Sequence, residues 1–315
     1  GCHFQRNPKI HIKVLMDLLD IRSILNSAKK NIFVDLQTSI KKMSIAYRFF
    51  LHKDYSLATF NGNNKINNKI IKDLISETPK PSKNLRELSD AGFQRIDNKD
   101  TILIIDCGIP KSYEATYNAH SCTTSFEMSY KKNKMILNSG TGFNKKANKT
   151  TAAHTTVTLN NTNAYKILSN NHLSRVPNEI KIKRVDRYGS IFLEIENYSY
   201  KKQYDAIHKR LIYVDKNGTD IRGEDNIYCP MELPFHIRFY LDPSVKSLLV
   251  NNNKSAVLKL PNGSGWKFVS SQSKLNIITN RYIDIDNQPK INDHILLDGK
   301  TIELITVIRW SIKKY

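Results

Sequence analysis

The chain has 315 residues, of which 40% are hydrophobic and 25% charged; this excludes wholesale disorder and leaves room for one large domain or two ordinary ones. Its 49 Lys and Arg outnumber its 29 Asp and Glu, for a net charge of +20, and no apolar run reaches the roughly 18–20 residues a membrane-spanning helix needs. The basic excess suits a polyanionic partner, yet it is spread along the chain, and a Lys-, Asn- and Ile-rich composition is also what AT-rich coding DNA yields.

The first regime is helical. Asn7 before Pro8 reads as an N-cap followed by proline at the first helical position. Ile10, Val14, Leu18, Ile21 and Leu25 then recur every three or four residues. A second stripe runs through Phe33, Leu36, Ile40, Met43, Tyr47 and Phe50, and a weaker third through Ile66, Ile70, Leu74 and Ile75. These helices read as the end of a larger helical domain or as a cap on the β-rich remainder of the chain. The linker Thr78–Lys83 carries two prolines, and the boundary is set there: residues 1–80 helical, residues 81–315 β.

Beyond the linker the period switches to two. Thr101–Asp106, Thr124–Tyr130, Thr155–Leu159, Ile191–Ile195, Ile207–Val214, Phe235–Leu241, Val257–Leu260, Leu275–Thr279 and Ile302–Ile312 read as strands. Turn signals such as Lys216-Asn217-Gly218 and Pro261-Asn262-Gly263 separate them. No helix-length segment intervenes, so the fold class is mainly β, a large antiparallel sandwich preceded by a few helices.

Cys2, Cys107, Cys122 and Cys229 form no Cys-x-x-Cys motif, which argues against a zinc knuckle or a thioredoxin-type pair. There is no P-loop, dinucleotide fingerprint, Gly-x-Ser-x-Gly elbow or His-Glu-x-x-His. No helix-turn-helix or RNA-binding signature accompanies the basic residues, so no nucleic-acid partner is assigned. The informative stretch is Asp90 to Asn161. His120 and His154 each stand just before a strand, and Asn138 ends the strand between them. Two imidazoles and an oxygen ligand could hold a metal such as zinc; the alternative is two hydrogen-bonded packing residues.

Taken in order, several segments resemble the heparinase II/III-like polysaccharide lyases in their proteobacterial form. They are Ala91-Gly92-Phe93-Gln94-Arg95, Asp106-Cys107-Gly108, Asn118-Ala119-His120, Ser125-Phe126-Glu127-Met128, Leu137-Asn138-Ser139-Gly140 and Ala152-Ala153-His154. Downstream, His208-Lys209-Arg210-Leu211, Arg222-Gly223-Glu224-Asp225, Arg238-Phe239, Asn262-Gly263-Ser264-Gly265-Trp266 and Arg309-Trp310-Ser311 continue the series. Upstream, Gly1-Cys2-His3-Phe4, Arg6-Asn7-Pro8, Arg48-Phe49-Phe50 and Phe60-Asn61-Gly62 resemble the last helices of that family's α/α-toroid.

The resemblance implies β-elimination on uronate-containing acidic polysaccharides, a location in the cell envelope or periplasm with the cytoplasm left open, and a toroid whose larger part precedes Gly1. A chain lacking that part is expected to be nearly inactive. The reaction needs a group that neutralises the uronate carboxylate, a base for the C5 proton and an acid for the departing oxygen. The family pattern His-x-His-x-Asp reads here as Asn118, His120 and Cys122; the metal-ligand Asp corresponds to Asn138 and the later His to His154. Candidate catalytic residues are His120 and Asn118 from this pattern and His208, which could point to the cleft from its strand; candidate metal ligands are His120, Asn138 and His154. With Asn in place of Asp the implied zinc binds weakly or not at all.

Arg95, Arg222 and Tyr204 are candidate substrate contacts. For Arg222 the simpler reading is a strand end in which Glu224 or Asp225 pairs with Arg222 or Arg210. Tyr204 and His208, four apart in a strand-like region, are expected to share a face. No oligomeric state is assigned.

Overall fold

Asn7 caps helix α1 (Pro8–Ser27), its side-chain oxygen accepting from Lys9 N at 2.9 Å and Ile10 N at 3.1 Å. The buried face of α1 is His11, Ile12, Leu15 and Leu19, displaced by about one position from the stripe that the spacing predicts: Ile10, Val14, Leu18 and Leu25 are half-buried at its edge and Ile21 is exposed. Helices α2 (Val34–Phe49) and α3 (Asn68–Glu77) complete the helical layer. The computed structural model describes the whole chain except residues 63–65, 82–83, 139–144, 178, 273, 284–288 and 303. Ser82 and Lys83 of the linker, and Ser139 and Gly140 after Asn138, thus lie outside the described residues.

Two antiparallel sheets form the sandwich. The first runs, in spatial order, Glu87–Leu88, Phe93–Asn98, Thr101–Asp106, Phe126–Tyr130, Asn133–Leu137, Pro234–Leu241, Pro289–Lys300 and Asn276–Ile283, with Val157–Leu159 also on Pro234–Leu241. The second runs Lys246–Val250, Ser255–Lys259, Gly265–Ser270, Ile305–Lys314, Asp220–Tyr228, Ile207–Val214, Ser190–Asn197 and Ile180–Arg187.

Burial explains the residue patterns. Strands with one wet face alternate: Ile191, Leu193 and Ile195 point inward, as do Ile212 and Val214. Thr101–Asp106 is instead buried at every position, because its sheet is covered on both sides. Leu103 and Ile105 join the core between the sheets, whereas Ile102 and Ile104 join a second core with Phe50, Phe60 and Phe93 under the helices. A continuous apolar run in a strand is the signature of this double covering.

Gly223 shows how tightly the sandwich is packed. It pairs in register with Trp310, and a Cβ there would stand 2.0 Å from Trp310 Cζ2. Gly223→Ala is expected to lower the unfolding free energy by about 1–3 kcal/mol through overpacking, read as a lower urea midpoint at unchanged slope. An unchanged midpoint would mean that the Trp310 indole relaxes freely.

Candidate functional site

The site forms where loops of the helical layer meet the first sheet. Arg6 and Asn61 both adopt left-handed backbone conformations, with φ of 56° and 54°. Asn7, besides capping α1, donates through Nδ2 to the Asn61 carbonyl at 2.7 Å. Asn61 donates through its own Nδ2 to the Arg6 carbonyl at 3.1 Å, and its Oδ1 accepts the His120 backbone N–H at 3.1 Å. Arg6 donates Nε–H to the Ala91 carbonyl at 2.7 Å, pairs with Asp106 and lies over the Phe93 ring. Asp106 in turn accepts from Gly108 N at 3.0 Å and from the Cys122 thiol at 3.3 Å. The helical layer thereby fixes the backbone that carries His120.

His120 Nδ1 lies 3.0 Å from His154 Nε2, with the two rings nearly perpendicular at 86°. His154 Nδ1 is 2.9 Å from the Thr150 carbonyl. A carbonyl only accepts, so His154 carries its proton on Nδ1 and presents a lone pair at Nε2. His120 must then donate from Nδ1, which leaves its Nε2 as the lone-pair nitrogen of a neutral ring. A Cβ placed on Gly62 would stand 3.5 Å from that Nε2 and 3.7 Å from the Asn118 carbonyl, at ordinary contact distance, so Gly62 and Asn118 are the neighbours of this nitrogen. Asn118 Nδ2 donates to Gln5 Oε1 at 3.1 Å.

Burial pushes the His154 pKa down to about 4, against the Thr150 carbonyl and Glu127, which favour the charged form. Burial, with His154 and Lys149 nearby, holds His120 well below the usual histidine range. Both rings are neutral at pH 7. A histidine depressed in the folded state contributes stability that is complete above its unfolded pKa and is lost as pH falls through the folded value. Unfolding free energy is therefore expected to decline between about pH 6.5 and pH 4, with His154 alone accounting for on the order of 3 kcal/mol. Denaturant midpoints measured across this range should flatten in the His120→Gln/His154→Gln variant; an equally steep decline would assign the effect to other groups.

Asn138 is bonded to Thr155, the residue after His154, and to Glu127, and to neither imidazole. Its Oδ1 accepts from Thr155 N at 3.4 Å and its Nδ2 donates to Glu127 Oε1 at 3.3 Å. Glu127 is itself held by Thr59 N at 3.0 Å and His52 Nε2 at 3.4 Å. Among the described residues no group of three or more His, Cys, Asp and Glu side chains could hold a metal ion. Two neutral imidazoles already sharing a proton, with the Asn138 amide engaged by Glu127 and Thr155, do not fit a resident tetrahedral zinc.

A family model described as Heparinase II/III-like, C-terminal, matches residues 80–311. The chain belongs to the heparinase II/III-like family. Heparan sulfate lyase HepC from Pedobacter heparinus aligns with a TM-score of 0.80 at 14% identity, covering 100% of this chain and 53% of that one. A crystal structure of heparinase III aligns at 0.79 and 14% identity, covering 100% and 54%. FtsZ-localized protein C of Caulobacter vibrioides (strain NA1000 / CB15N) is 23% identical over 100% of this chain and 58% of its own length. The chain thus spans a little over half the length of the relatives it matches.

Within this heparinase-like frame the other predicted residues lie apart from the imidazole pair. His208 points into the sandwich core, where its Nε2 is 2.7 Å from Asp225 Oδ1 and its exposure is 1%; inward alternation of its strand removes it from any open face. Tyr204 ends a short helix, Lys201–Tyr204, and Asp205 at φ 52° turns the chain before the strand Ile207–Val214 begins. The expectation that Tyr204 and His208 share a strand face is thereby corrected. Arg95 is buried and donates to the Phe49 and Leu51 carbonyls at 2.8 and 2.9 Å and to Asp97 at 3.0 Å, as a strut between the layers. Arg222 lies on the outward face of the second sheet and pairs with Asp220, while Arg210 pairs with Asp225.

Sequence reasoning missed Arg6, Asn7, Asn61 and Asp106 as the frame of the site. Signals were present: all four lie in the motifs that carry the family resemblance, and Asp106 closes the apolar run Ile102–Ile105, where a carboxylate demands a partner.

Proposed function

We propose that this protein is a polysaccharide lyase that opens uronate-containing glycans by β-elimination, with His120 as the base. The proposal is carried by one observation, the contact chain Thr150 carbonyl–His154–His120, whose acceptor-only carbonyl end implies an unprotonated His120 Nε2 beside Gly62 and Asn118. His120 Nε2 takes the C5 proton of the uronate, the electron pair forms the C4–C5 double bond, and the C4–O bond breaks. The imidazolium so formed returns the proton to the departing oxygen. Asn118 Nδ2 supplies a neutral donor to the uronate carboxylate, whose charge otherwise opposes loss of the C5 proton. His154 is a positioning residue that fixes the ring and its tautomer. Zinc has no step in this scheme, and its binding to the pair is expected to be weak.

The +20 net charge favours acidic polysaccharide as the partner. No helix among the described residues is long and apolar enough to cross a membrane. The cell envelope is the proposed location.

A second reading is a non-catalytic glycan-binding or structural sandwich of the cell envelope. The relative named FtsZ-localized protein C favours it, because that name records a location and no chemistry. The complete gene product, incubated with a panel of uronate polysaccharides, separates the two. Ultraviolet-absorbing unsaturated ends support the lyase. Binding without product supports the second reading, and cleavage with incorporated water overturns β-elimination.

A further inference from the structure

The outward face of the second sheet, the sheet that carries neither histidine of the pair, holds a groove of about 450 Å³. A solvent-facing sheet surface is ordinarily polar. Here Phe192, Leu211, Tyr213 and Val269 line the groove. One register line of its residues extends from Phe192 through Tyr213, Arg222 and Ser311 to Val269, across five neighbouring strands. Five strands at about 4.8 Å spacing span about 19 Å, which suits an oligomeric ligand better than a single small molecule.

The charges beside this line are arranged for an anion. On the three strands Gly265–Ser270, Ile305–Lys314 and Asp220–Tyr228, the outward positions around it hold Arg222, Arg309, Lys267 and Lys313 against Asp220 and Glu224. Arg309 gives its Nε–H to Glu224 at 2.8 Å, and Arg222 gives Nε–H and Nη2–H to Asp220, at 2.7 Å for the latter. Their side chains nonetheless remain 71% and 64% exposed. Each carboxylate holds a guanidinium in place without covering it, and Arg222 lies over the Tyr213 ring. A pre-positioned guanidinium beside an apolar surface recognises a carboxylate or sulfate attached to a group with an apolar face.

We propose that this groove is a second binding site for an acidic oligosaccharide, separate from the site of cleavage. Pyranose rings would lay their C–H faces along Phe192, Tyr213 and Val269, and their acidic groups would meet Arg222 and Arg309. The choice of a uronate ligand rests on the lyase reading; the groove itself does not.

The test is calorimetric titration of the complete gene product with a size-defined uronate hexasaccharide, beside cleavage assays on a shorter soluble substrate. Tyr213→Ala/Arg309→Ala is expected to weaken hexasaccharide binding at least tenfold and leave cleavage of the short substrate unchanged. Arg309→Glu, at a highly exposed side chain, repeats the test without loss of an aromatic ring. Unchanged affinity in both variants overturns the proposal. So does a wild-type protein that self-associates through this face, with the variants dissolving the oligomer and leaving glycan affinity untouched. Loss of short-substrate cleavage in the variants also overturns it, whereas a wild type that binds the hexasaccharide in the groove but cleaves nothing would count against the lyase reading alone.

Discussion

Asp225→Ala is expected to destabilise the protein by about 3–5 kcal/mol, a large share of the about 5–15 kcal/mol that holds a typical domain folded. Asp225 points inward from the second sheet and is fully buried. Its carboxylate accepts Arg210 Nε–H at 2.6 Å and Nη2–H at 3.0 Å, His208 Nε2 at 2.7 Å and Trp310 Nε1–H at 2.9 Å. Arg210, equally buried, also reaches the segments that lead into first-sheet strands Phe126–Tyr130 and Val157–Leu159, where its Nη1 donates to the carbonyls of Thr124 at 2.9 Å and Thr155 at 2.5 Å. The ion pair therefore bridges the two sheets and holds the backbone next to His154. Removing the carboxylate leaves a guanidinium buried without its counter-charge, which costs far more than the pair itself contributes.

Burial alone would raise the Asp225 pKa, but Arg210 and His208 override it and hold the carboxylate well below its usual range. Its contribution is thus complete above the unfolded value of about 3.9 and is lost as pH falls further. Urea unfolding at pH 7 should show the full deficit for Asp225→Ala, and the gap to wild type should narrow in strong acid. Arg222→Ala, which removes an exposed pair, is expected to change stability by less than about 1 kcal/mol. Equal losses for the two variants would refute this account of the bridge.

His120→Ala is expected to lower the rate of unsaturated-product formation by the complete gene product by about 10²–10⁴-fold, the usual contribution of a positioned acid–base group. The backbone N–H of His120 keeps its bond to Asn61, so the loop remains anchored. His154→Ala should act differently. It removes the acceptor that sets the His120 tautomer, so the rate falls less and the acidic limb of the pH–rate profile moves, while KM stays near wild type. An undiminished rate in His120→Ala would remove this histidine from the mechanism. A His154→Ala enzyme that is slower with an unmoved pH profile would reduce His154 to a packing residue.

Much of the architecture was legible from local pattern. The cap Asn7-Pro8 marked the start of α1, and strands Thr101–Asp106 and Ile207–Val214 were read with the ends they have in the structure. The family resemblance was legible too, because it rests on short motifs in order. Of strand Asp220–Tyr228 the sequence suggests only a strand end around Arg222–Asp225, because its inward positions include Gly223 and Asp225, which lack the apolar side chains that reveal a strand's period. Those residues are there because Trp310 needs the space and Arg210 the charge, and both partners are distant in sequence.

The candidate site divides in the same way. His120 and His154 could be singled out by residue type and position before a strand, but they are 34 residues apart. Their contact, and the proton order that leaves His120 Nε2 as the acceptor, exist only once the Thr150 carbonyl is in place. The sequence by itself determined which segments alternate, where the helices start and which residues have the chemistry to act. Tertiary structure alone decided which of those residues meet. A side chain's bonding partners come from segments brought together by sheet pairing and by packing of the helical layer, and local periodicity records neither.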